Sequence, residues 1–185
     1  MQNVLAIKNR KNFRVWLEKY SARESECWIA LKRGKPKDDG LFYYLDAVEE
    51  ALCFGWIDST QKIVDGVRLQ RFSPRKKNGL WSELNKERVR RLEKLGLMTD
   101  AGRKVLPDMA FTPDEDVVNS LKSAGVFEKL CELNPLYVRV RIYNVAFYKG
   151  RNAQAYEKAL AHLITKTREG KMFGEWNDYG RLLEY

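Results

Sequence analysis

Apolar positions set the first elements. Phe13, Trp16, Leu17 and Tyr20 recur at helical spacing and predict a helix over 12–20. Residues 27–32, CWIALK, read as a strand of mixed exposure, and 34–40, with Pro36 and two aspartates, as a loop. Leu45, Val48, Ala51 and Leu52 share a face of a second helix, with Gly55 where a C-terminal cap belongs. Trp56–Val64 and Val67–Phe72 then flank Asp65-Gly66, a pair suited to the positive φ angles of a type I′ hairpin, and Pro74 ends it. Downstream, Ser82 caps a helix through Leu84, Val89, Leu92 and Leu95 that stops at Gly96. Thr99 caps a shorter helix ended by Pro107. Thr112, Pro113 and Glu115 predict a capping box opening a stripe of Val117, Leu121 and Ala124.

The stretch 136–147 fits two periods. Its alternation reads as strand, whereas Leu136, Val140, Tyr143 and Phe147 fit a helix opened by Asn134-Pro135, and helix is the reading taken. A last helix spans 152–168 and closes at Gly170. Strands before residue 75 and helices after it predict an α+β fold: a small antiparallel sheet with a central β-hairpin packed by helices, and a helical C-terminal region. The expected division is an α+β core over 1–110 and a helical region over 111–185 packed on the same core. No internal repeat is present.

Turn chemistry also predicts the register. With Asp65-Gly66 as the turn, Val64 faces Val67, Lys62 faces Leu69 and Thr60 faces Arg71. Trp56, Asp58 and Thr60 would then share a face with Arg71, and with Arg75 if the strand runs past Pro74. Asp58 and Arg71 become diagonal neighbours beside an indole. Such a surface suits an anionic or planar ligand, because arginine offers a two-pronged donor and tryptophan a stacking plane. The same residues also fit a plain structural role: an Asp58–Arg71 ion pair, Trp56 and Trp81 as core rings, Asn85 as a cap.

Charge adds to that picture. Lys+Arg 34 against Asp+Glu 25 gives a formal net charge of +9, which favours anionic partners such as nucleic acid or phosphorylated ligands. Lys76-Lys77 and the Arg88, Arg90, Arg91 cluster are the densest basic runs, and runs of this kind are more often solvated faces than contact sites. The inventory excludes several chemistries. With one histidine, His162, and three dispersed cysteines, no ordinary zinc set is present. No phosphate-binding glycine loop, dinucleotide fingerprint or nucleophile elbow occurs. No cofactor is expected. Cys27, Cys53 and Cys131 are expected to be reduced and unpaired, as in a reducing compartment. No apolar run is long enough to span a membrane and the N-terminus lacks the order of a secretory signal, so an integral membrane protein is not expected.

Three blocks, in order, carry a resemblance: EEALCFGWIDS at 49–59, LQRFSPR at 69–75 and WSELNKERV at 81–89. Together with Trp16-Leu17 and the MTDAG of 98–102, they are similar to the bacteriocin-protection, YdeI/OmpD-associated family. Beyond about Thr112 the likeness holds in outline only, and the stretch 137–143, YVRVRIY, departs from the family's pattern. The resemblance implies resistance to bacteriocins and cationic antimicrobial peptides, and a porin or membrane-associated partner. It implies no catalytic residues. The family is sometimes described as periplasmic; the chain's own start points to the cytoplasm.

These readings converge on a non-enzymatic binding or stress-protection module with a basic anion-binding surface. Its candidate ligand-binding residues are Trp56, Asp58, Arg71, Arg75, Trp81, Asn85 and Arg88. Nucleic-acid binding through the hairpin loop and the 83–94 helix is the alternative, and a small-molecule enzyme using Asp58 with Arg71 or Arg75 is a third.

Overall fold

A computed structural model describes residues 3–185. The elements are β1 (Val4–Leu5), α1 (Arg10–Tyr20), β2 (Cys27–Ala30), α2 (Tyr44–Cys53), β3 (Trp56–Val64), β4 (Val67–Pro74), α3 (Glu83–Lys94), α4 (Asp100–Arg103), α5 (Glu115–Ser123), α6 (Phe127–Cys131), α7 (Pro135–Ala146) and α8 (Ala153–Arg168). The fold is α+β with a helical C-terminal region, as the pattern predicts. The chain divides into two compact units. One holds the residues through Leu80 with Arg88–Pro107 and Tyr185; the other holds Trp81–Glu87 and Asp108–Glu184. The division is therefore not a single cut at residue 110, because the start of α3 groups with the helical unit.

In the first unit the sheet order is β1-β2-β4-β3. β1 pairs with β2 in parallel and the other pairings are antiparallel, so the sheet is mixed. Asp65 (φ 48°) and Gly66 (φ 76°) make the tight turn between β3 and β4, as their residue types require. Cys27, Ile29, Trp56 and Phe72 are fully buried on one face of the sheet. Helix α1 covers that face: the Phe13 ring lies 5.5 Å from Phe72, and Trp16 meets Trp56 edge-on at 5.7 Å. Asn9 starts α1 by accepting the backbone N–H of Asn12, two residues earlier than the apolar spacing suggested.

The helical unit builds a hydrophobic core of its own from Val117, Leu121, Leu130, Tyr137, Val140, Leu163 and Trp176. Its first cap differs from expectation. Asp114, not Thr112, accepts the N–H groups of Asp116 and Val117 and opens α5, since a carboxylate closer to the helix satisfies two orphan donors at once. The ambiguous stretch is helix α7, with Asn134 as cap and Pro135 in the first turn.

Cys27, Cys53 and Cys131 are unpaired, and burial pushes the Cys53 thiol up to about 12 and that of Cys27 higher still. Among the described residues no helix is long and apolar enough to cross a membrane.

Helix α4 docks against the end of α2 through one carbonyl. The backbone N–H and the hydroxyl of Thr99 both donate to Cys53 O, at 3.1 and 2.6 Å. A Cβ on Gly102 would sit 2.3 Å from the same oxygen. Gly102→Ala is therefore expected to destabilise the first unit by about 1–3 kcal/mol, read from urea unfolding. A midpoint unchanged from wild type would refute the close approach.

Candidate functional site

The hairpin register holds near the turn and fails farther along. Val64 pairs with Val67, Lys62 with Leu69 and Gln61 with Gln70, but the next pair is Asp58 with Phe72. Ser59 and Thr60 together stand against Arg71, which is a β-bulge. The buried Gln70 amide holds it, its Nε2 within 3.2–3.3 Å of the carbonyls of Ser59, Thr60 and Arg71. One extra residue reverses the alternation of everything before it.

Consequently Asp58 shares a face with Trp56 and Phe72, and Arg71 lies on the opposite face beside Trp28. The predicted Asp58–Arg71 unit does not form. Arg71 donates instead to Glu26 at 2.6 Å and to Ser59 Oγ at 3.2 Å. The Trp28 indole N–H donates to the other Glu26 oxygen at 3.0 Å, and this bond, followed by that of Arg71, holds Glu26 below the usual carboxylate range. Trp56 is a core ring whose Nε1 donates to Ser21 O.

Asp58 accepts a 2.6 Å bond from the Tyr44 hydroxyl. Burial first, and then the Asp58 charge, push that phenol up to about 12, so Tyr44 keeps its proton and serves as a donor. Arg33 stacks on the Tyr44 ring at 3.6 Å and reaches Gln70 Oε1 at 2.7 Å. The Arg88 charge acts on the same phenol in the opposite sense. Of the predicted residues, then, Asp58 and Arg88 come together around Tyr44. Strand β4 ends at Pro74, and Arg75 is buried, its Nη1 donating to Leu80 O at 3.2 Å. Trp81 and Asn85 belong to the helical unit, where Trp81 is buried and the Asn85 backbone N–H is taken by Ser82 Oγ.

Two charged groups escaped the periodicity argument. The first is a buried cluster in the first unit. Glu49, fully buried, accepts from Arg10 at 2.6 Å and Arg91 at 2.8 Å; Glu50 accepts from Arg10 at 2.5 Å and Arg14 at 2.9 Å. Acidic residues within the otherwise apolar α2 were the available signal.

The second is Arg141, in the helical unit. It lines a cleft of 680 Å³ between α7, α8 and the segment carrying Phe173. Its residue exposure is 7%, yet no carboxylate forms an ion pair with it among the described residues and its Nε has no hydrogen-bond partner. What it has is the Glu175 carbonyl at 2.9 Å and the rings of Phe173 and Tyr137 at 4.6 and 5.3 Å. Gly174 (φ 63°) lets the backbone pass close by, since a Cβ there would sit 3.1 Å from both terminal nitrogens. Burial lowers the guanidinium's pKa from its usual value, against the opposing influence of Tyr137 and of the Glu175 charge, which acts on it without a direct ion pair. His162 belongs to this cleft, its ring 4.4 Å from that of Phe173.

These geometries predict opposite costs for two arginine contacts. Arg71 and Glu26 are each about a third exposed, so Arg71→Ala is expected to cost less than about 1 kcal/mol. Glu49→Ala, which strips Arg10 and Arg91 of a buried partner, is expected to cost about 3–5 kcal/mol. Equal losses in chemical denaturation would show that burial does not govern these pairs.

Neither the curated proteins nor the solved structures offer a match. A family described as a domain of unknown function, DUF8412, matches residues 5–105, more than half of the 185. The chain belongs to the DUF8412 family.

Proposed function

We propose that the protein is a non-enzymatic binding module that captures an organic anion through Arg141. The observation that carries this reading is a guanidinium buried to 7% exposure, its Nε without a hydrogen-bond partner, that forms no ion pair among the described residues. Taking such a group out of water costs several kcal/mol, and a carboxylate partner normally offsets it. Ring faces and one carbonyl compensate only part. An arriving anion would complete the site, and the surplus of basic residues would draw it in. The resemblance of residues 49–59, 69–75 and 81–89 to the bacteriocin-protection family supports a protective use for such binding.

Replacing Arg141 separates a ligand site from a structural arginine. In the absence of any anion, Arg141→Met is expected to leave the melting temperature unchanged or raise it, because an apolar chain of similar length removes an uncompensated charge. Acetate, added in excess over its Kd, should raise the wild-type melting temperature by a few degrees and leave the variant unmoved. A lowered melting temperature in the anion-free variant, with no response to acetate in the wild type, would sink the proposal.

A further inference from the structure

The shape of the cleft narrows the ligand class, an inference that rests on the anion-binding reading above. Its walls run from Arg141 to Tyr148 along α7 and the turn after it, and from Ala155 to His162 along α8. Seven residues of helix cover about 10 Å, so the groove is longer than one anionic group. Its two ends differ. Phe173 contacts both Arg141 and His162, which fixes the polar end. The six residues joining α7 to α8 bring Tyr148 and Phe147 back beside Ala155 at the other end, where the two rings lie 5.6 Å apart. Between the ends, Val145 and Leu163 are buried, while Ala155 and Ala159, one helical turn apart, leave room above the α8 backbone.

We infer that the groove takes an amphiphilic carboxylate, a medium-chain fatty acid, with its head on Arg141 and its chain lying over Ala159 and Ala155 toward Phe147 and Tyr148. Charge and lining both select this class. One buried guanidinium balances one negative charge, whereas a nucleotide or a polyanion brings two or more into a wall of aliphatic and aromatic side chains. Lys158 is the other cationic side chain of the lining, and it is exposed, so it adds attraction at the mouth without a second buried charge. A wholly apolar ligand would leave Arg141 as uncompensated as before.

The experiment is a calorimetric titration of the full chain with acetate, butyrate, hexanoate and octanoate, repeated on Arg141→Met and on Ala155→Leu. The expected result is affinity that rises by up to about fourfold for each methylene buried, and falls at least tenfold for octanoate in Arg141→Met. Ala155→Leu, which fills the end away from Arg141, should keep acetate binding and flatten the gain with chain length. Acetate and octanoate binding alike, both lost in Arg141→Met, would overturn the amphiphile and leave the anion site standing. Octanoate binding equally well to Arg141→Met would overturn the head-group assignment. If no carboxylate of any length bound, this inference and the anion-binding reading would fall together.

Discussion

The extra residue in β3, where Ser59 and Thr60 stand against Arg71, decides what the first unit turns inward. Without it Trp56 and Asp58 would share the face of Arg71, turned away from Phe72 and the core. With it, Asp58 lies under α2 beside Trp56, and the hydroxyl of Tyr44 is there to receive it. The bulge persists because Gln70, buried in the neighbouring strand, places one amide against three carbonyls that the irregular ladder would leave short of donors. Arg33 then takes the remaining Gln70 oxygen and stacks on Tyr44. A backbone irregularity, one amide and a chain of polar contacts thus form a single connected arrangement.

The two units deal with buried charge in opposite ways. Around Glu49 and Glu50, three arginines from α1 and α3 meet the two carboxylates, so burial leaves little charge unanswered. A cluster of this kind fixes which helix faces meet, because any other docking would strand an ion. Around Arg141 the neighbours are rings, a carbonyl and a glycine that makes way for them. Those contacts orient the guanidinium without neutralising it. That contrast, more than the depth of the cleft, is what motivates the ligand-binding proposal for Arg141.

Much of the fold was legible because turn and cap chemistry is local. Asp65-Gly66, Thr99, Asn134-Pro135 and Asn152 each specify a backbone geometry within a few residues, and each is used as its residue types require. The site was not legible, for an equally physical reason. From Asp58 to Lys62 both faces of β3 are polar, so no hydrophobic alternation marks where the register slips, and the signal for the bulge was an unremarkable glutamine in the next strand. The stretch YVRVRIY carried the more telling clue. Arg139 and Arg141 are two positions apart, about 200° around a helix, so they cannot share a face. Arg139 reaches Glu87 at 2.7 Å, and Arg141 is turned into the apolar interior.

The family match ends at residue 105, and Arg141, His162 and Phe173 all lie beyond it. The matched segment thus contains the bulge and the arginine–glutamate cluster, and the cleft lies outside it. That separation bears on how the function should be sought. The matched region spends its polar residues on each other: Glu49 on arginines, Asp58 on Tyr44, Glu26 on Arg71 and Trp28. A group whose hydrogen bonds are already made within the fold must break them to hold a ligand, and each broken charge-assisted bond subtracts roughly 1.5–3 kcal/mol from the affinity. Arg141 has no such bond to a carboxylate to break. On the proposed reading, an anion reaching the guanidinium from the cleft adds an interaction without breaking an ion pair, which makes the helical unit the place to look for a ligand.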